Sequence, residues 1–83
     1  MVNNMLEIFK NYLRGEEYYI ILYSNYVYIF NYKEIKKFTD KYISLELDKL
    51  RINIFGTDLL ITKMEKSELL IKGNIFKVEK IYE

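Results

Sequence analysis

Residues 43–54 read Ile-Ser-Leu-Glu-Leu-Asp-Lys-Leu-Arg-Ile-Asn-Ile, and their alternation decides the fold. Successive side chains of an extended strand point to opposite faces. Ile43, Leu45 and Leu47 therefore share one side, with Ser44, Glu46 and Asp48 on the other. After Asp48-Lys49 the pattern resumes, with Leu50, Ile52 and Ile54 set against Arg51 and Asn53. Two alternating runs joined by two polar residues make a hairpin with one apolar face.

Working outward, the same period governs most of the chain. Towards the C-terminus, Gly56-Thr57-Asp58 reads as a turn, 59–63 as a strand and 64–67 as another turn. Strands follow at 68–72 and 75–82, separated by Gly73-Asn74, a pair whose tolerance of positive φ suits a hairpin. Towards the N-terminus, the polar segment 33–40, with Ile35 and Phe38 set into it, reads as a connection. Before it, strands at 18–23 and 26–31 flank Ser24-Asn25, a two-residue link suited to a tight hairpin. Residues 3–14 change period: Met5, Leu6, Ile8, Phe9, Tyr12 and Leu13 recur at helical spacing, with Asn3 or Asn4 as N-cap and Gly15 as C-terminal cap. The expectation is a single mainly-β domain over 1–83. An N-terminal helix precedes about seven short antiparallel strands arranged as a meander in a small sheet or roll, because short links make consecutive strands antiparallel neighbours.

Composition narrows the function. The 83 residues carry a net charge of +1, with acids and bases interleaved, unlike the basic excess of a phosphate-backbone binder. There is no Cys and no His, which removes thiolate chemistry, the commonest general base and the commonest transition-metal ligand. Ser24, Ser44 and Ser67 thus lack an activating base, and they suit turns and a solvent face. Asp40, Asp48 and Asp58 fall at turns or strand ends, where Asp bonds nearby backbone N–H groups, and no spacing matches a cation-binding loop. Gly15, Gly56 and Gly73 are isolated, with turn roles rather than a phosphate loop. No enzyme activity, metal or cofactor is expected. No apolar run reaches the roughly 20 residues that span a bilayer, and the start lacks the pattern of a signal peptide, so no direct membrane insertion and a cytoplasmic location are expected.

The first hairpin is the unusual feature. On the first strand Tyr19, Ile21 and Tyr23 share one face and Tyr18, Ile20 and Leu22 the other; on its partner, Tyr26, Tyr28 and Phe30 lie on the side opposite to Val27 and Ile29. A hairpin apolar on both faces must be covered on both. Either the helix covers one face and the later strands the other, or a Tyr-rich face remains for a protein partner or for self-association, since Tyr is enriched at interfaces. Base stacking on these rings is a third reading, without an evident basic groove to match. The candidate interface residues are Tyr19, Tyr23, Tyr26 and Tyr28.

From Tyr26 to Tyr82 the chain resembles the YabP/YqfC family of sporulation proteins from endospore-forming bacteria. Residues 29–35, followed by Phe38-Thr39-Asp40, are similar to that family's I-x-N-Y-x-G-I-x-x-F-S-D stretch, with Glu34 where the pattern has glycine. Ile52-x-Ile54-x-Gly56-x-x-Leu59-x-Ile61 is similar to its L-x-I-x-G-x-x-L-x-I, and Leu69-x-Ile71-x-Gly73-x-Ile75 to its L-x-I-x-G-x-I. The resemblance implies a non-enzymatic role on the mother-cell side of the developing spore, in envelope or coat assembly. A membrane-embedded sporulation protein is then a candidate partner, and there are no catalytic residues to carry over. The competing expectation is an Sm-like RNA-binding ring, which also sets a helix before about five curved strands, but no basic loop is evident here.

Overall fold

A computed structural model describes residues 18–82. The helix expected over 3–14 lies outside the described residues. Six strands form one antiparallel sheet: β1 (Tyr19–Leu22), β2 (Tyr26–Phe30), β3 (Glu34–Phe38), β4 (Tyr42–Leu47), β5 (Leu50–Met64) and β6 (Glu68–Tyr82). Their order across the sheet is β1-β2-β6-β5-β4-β3. The strands from β3 to β6 form the expected meander, but the β1–β2 hairpin docks on β6 rather than beside β3.

Strand count differs from expectation at three places. Residues 50–54 and 59–63 are one strand, β5, and residues 68–72 and 75–82 are one strand, β6. Gly56-Thr57-Asp58 is therefore no turn and Gly73-Asn74 no hairpin. Both are interruptions within a continuous β5–β6 ladder, where the pairing slips between Phe55 and Gly56 and again between Thr57 and Leu60. A glycine inside an alternating run marks a bulge as readily as a turn. The third difference is the polar segment 33–40, which contains β3. As an outermost strand with mostly exposed side chains, β3 needs no apolar alternation, and its lysines suit an edge.

The paired interruptions bend the sheet. From Phe30 to Glu34 the chain can reach at most about 14 Å, whereas β2 and β3 stand four strand spacings apart, about 19 Å in a flat sheet. The sheet therefore curls into two four-stranded leaves that share β5 and β6. One leaf is β1, β2, residues 68–72 and residues 60–64; the other is β3, β4, residues 50–55 and residues 75–82. Val27, Ile29, Leu69 and Ile71 of the first leaf join Ile43, Leu45, Leu47, Leu50, Ile52 and Ile54 of the second in one buried cluster. The alternation of residues 43–54 thus places its apolar set inside, as read from the sequence.

The bend is fitted closely. A Cβ on Gly56 would stand 2.1 Å from the Asn74 carbonyl oxygen and 2.9 Å from Leu59 Cδ2. Gly73 has φ +150°, a conformation that side chains disfavour, and a Cβ there would meet the Asp58 oxygen at 2.8 Å. Asp58 adopts a left-handed φ of 56°, which Asp tolerates better than most residues. Leu59, only 3% exposed, plugs the space between the two glycines. The β3–β4 turn caps the outside: Leu59 N–H donates to the Asp40 carbonyl at 2.8 Å and Gly56 N–H to the Lys41 carbonyl at 3.1 Å.

Candidate interaction surface

The hairpin register brings the Tyr-rich side together. Tyr19 pairs with Phe30 and Ile21 with Tyr28, and Tyr23 N–H donates to the Tyr26 carbonyl at 2.8 Å, closing the loop at Ser24-Asn25. Residues directly opposite in an antiparallel pair project to the same side. Tyr19, Tyr23, Tyr26 and Tyr28 therefore share one face, pointing away from the side that carries Val27 and Ile29 into the core. On β6, Glu68, Leu70 and Lys72 extend this face, since they pair with Phe30, Tyr28 and Tyr26.

The four tyrosines are not equivalent. Tyr28 is 6% exposed, and its hydroxyl donates to the Glu68 carboxylate. Burial, reinforced by that hydrogen bond and by the negative charge of Glu68, holds the Tyr28 phenol well above the ordinary range. Lys63 sits 3.6 Å from the same carboxylate. Tyr19 is half-buried and stacked, with its ring 5.1 Å from Phe30 and 6.1 Å from Tyr28. Tyr26 is half-buried, and Tyr23 is 53% exposed at the hairpin tip. Tyr28 thus anchors the face and Tyr23 presents it. Fixed aromatic rings with a hydroxyl at the edge suit contact with another surface, because they offer area and hydrogen bonding at small entropic cost.

The outer side of the other leaf carries a second patterned surface that the sequence reading did not single out. Tyr42 pairs with Phe55, Ser44 with Asn53 and Glu46 with Arg51, all facing away from the core. The Tyr42 hydroxyl donates to Asn53 Oδ1 at 3.1 Å, and Asn53 Nδ2 donates to Glu79 Oε1 at 3.0 Å. The Tyr42 and Phe55 rings stand 5.0 Å apart, with Lys77 Nζ 5.1 Å from the Phe55 ring centre. This coverage leaves Ser44 and Asn53 buried although they lie on the outer side. The signal was present in the sequence: once Asp48-Lys49 is taken as a two-residue link, Tyr42, Ser44, Glu46, Arg51, Asn53 and Phe55 must share a face.

Among the described residues no group of three or more acidic side chains is placed to hold a metal ion. No helix among them is long and apolar enough to cross a membrane. Gly56 and Gly73, expected at turns, stand together at the bend, with the Leu59 side chain packed against both.

The fold and its outward aromatic face define a small curled antiparallel β-domain with a fixed, tyrosine-bearing surface. The YabP family model matches residues 15–81, which takes in β1 to β5 and all of β6 but its last residue, and the chain belongs to the YabP family. No curated protein and no solved structure matches it.

Proposed function

We propose that this protein acts in spore formation as a non-catalytic structural or interaction module, on the mother-cell side, in assembly of the spore envelope or coat. The observation that carries the proposal is the YabP family match over residues 15–81. The absence of His and Cys supports a role without catalysis. The exposed Tyr23 and half-buried Tyr26, held by the stacked Tyr19, Tyr28 and Phe30, supply a surface for a protein partner, either a second copy or a membrane-embedded sporulation protein.

The test is genetic and then biochemical. Expression should be confined to sporulation, and disruption of the gene should lower the yield of mature spores. A copy carrying Tyr23→Ser and Tyr26→Ser should accumulate to normal levels yet fail to restore that yield. Constitutive expression with normal spores from the disrupted strain would overturn the proposal.

A further inference from the structure

The outer side of the first leaf is covered unevenly. At the hairpin tip Tyr23 is exposed, and so is Leu60, at 57%. One row on, Ile21 and Leu70 flank Tyr28, which is buried. At the far end Glu68 lies beside Phe30 with its side chain only 16% exposed. A side chain on the outside of a sheet is shielded at its flanks by neighbouring strands, but its outward side is bare unless another layer packs there. All six strands lie in the one sheet, and the second leaf packs on the inner side, against Val27, Ile29, Leu69 and Ile71. Among the described residues no strand is left to cover Tyr28.

We propose that residues 3–14 dock as an amphipathic helix on the outer side of the first leaf, over Tyr28, Leu70 and the stacked Tyr19 and Phe30, and leave the hairpin tip uncovered. The pattern of this segment suits the task. At about 100° per residue, Met5, Phe9 and Tyr12 centre an apolar arc that Leu6, Ile8 and Leu13 widen. Glu7, Lys10, Asn11 and Arg14 fill the opposite arc. A helix divided in this way is stabilised by burying its apolar side against another element. The sheet offers an aromatic and aliphatic face of matching character.

The length of the link chooses the face. Residues 1–17 join the sheet just before Tyr19, which pairs with Phe30 at the covered end. The four steps from Arg14 to Tyr18 reach at most about 14 Å. That is enough to climb to a layer packed about 10 Å above the first leaf, but not to the outer side of the second leaf, two such spacings away. The cleft between Leu22–Ser24 and Ile75–Val78 is not the seat either, since Phe76 on its wall is 71% exposed. Docking in this way confines a partner to the Tyr23, Tyr26 and Leu60 end of the face. The inference goes beyond the spore-formation reading, and its test needs only the purified chain.

The chain has no cysteine, so Lys10→Cys can carry a single nitroxide on the polar side of the segment. In NMR spectra of the full chain, the label should broaden amides of residues 19–21, 28–30 and 68–70 and spare residues 43–46 and 51–54 of the second leaf. Adding Phe9→Asp should abolish that broadening, with the resonances of residues 43–54 unmoved as proof that the sheet is intact. When labelled chain without nitrogen-15 is mixed with unlabelled nitrogen-15 chain, no broadening should appear, because the segment docks on its own sheet. Equal broadening or none on the two leaves, broadening that survives Phe9→Asp, or broadening in the mixture, which would make a second copy the source of the cover, would each overturn the inference.

Discussion

Replacing Gly56 with alanine measures how tightly the bend between the two leaves is built. The new methyl would lie 2.1 Å from the Asn74 carbonyl oxygen and 2.9 Å from Leu59 Cδ2. The nearer neighbour is backbone in the paired strand, so relief requires β5 and β6 to part where Gly56 faces Ile75 and Thr57 faces Asn74. Overpacking of this kind costs about 1–3 kcal/mol, and the clash with backbone places this site at the upper end. The alanine also restricts the unfolded chain, which returns about 0.4–1 kcal/mol. The expected net loss is about 2 kcal/mol, against a total of roughly 4–12 kcal/mol for a chain this long. Thermal unfolding followed by circular dichroism should then show Tm lowered by about 8–16 °C. Thr57→Ala, one residue along on an exposed side chain, should move it by no more than about 3 °C. A Gly56→Ala protein that melts within about 3 °C of wild type would refute the close strand approach on which the two-leaf architecture depends.

Tyr28→Phe should cost about 1–2 kcal/mol, because it removes a hydroxyl that donates to the charged Glu68. The folded state holds the Tyr28 phenol above its unfolded value near 10, so its contribution is complete below about pH 10 and is lost as pH rises beyond that. Melting curves at pH 9 and 11 should therefore fall more steeply for wild type than for Tyr28→Phe. Asn53→Ala should destabilise by about 1–2 kcal/mol through loss of its bonds to Tyr42 and Glu79, and a double-mutant cycle in urea with Tyr42→Phe should show coupling rather than simple addition. Leu59→Ala should cost about 2–4 kcal/mol, whereas Leu60→Ala, whose side chain is exposed, should stay within about 0.5 kcal/mol, again by urea titration. Titration with oligo-U at two salt concentrations should show no tight, salt-sensitive binding; such binding would favour the Sm-like reading over the interaction module.

Local pattern explains which parts of this fold were legible. The alternation of residues 43–54 and the Ser24-Asn25 link set strands, register and facing, since a two-residue link leaves only one pairing that keeps Ile43, Leu45, Leu50 and Ile52 on a common side. The same reasoning placed Tyr19, Tyr23, Tyr26 and Tyr28 on one face. It could not rank them, because the burial of Tyr28 depends on Glu68, 40 residues away. The second outer face was legible in principle, and its Tyr42–Asn53 contact follows from the hairpin register. Its Glu79 contact needs β6 laid beside β5.

By itself the sequence determined the strand period, the inward set of aliphatic side chains and the sharing of one face by the tyrosines, because each depends on residues a few positions apart. Only the tertiary structure decided that Gly56 and Gly73 bend two long strands rather than end four short ones. A glycine permits a turn and a close backbone approach alike. Here the choice rests with the Asn74 carbonyl and the Leu59 side chain that occupy the space a side chain would have filled. The position of β2 beside β6 was decided in the same way, since it requires the leaves to close over Val27, Ile29, Leu69 and Ile71, a contact between distant segments that no local period encodes.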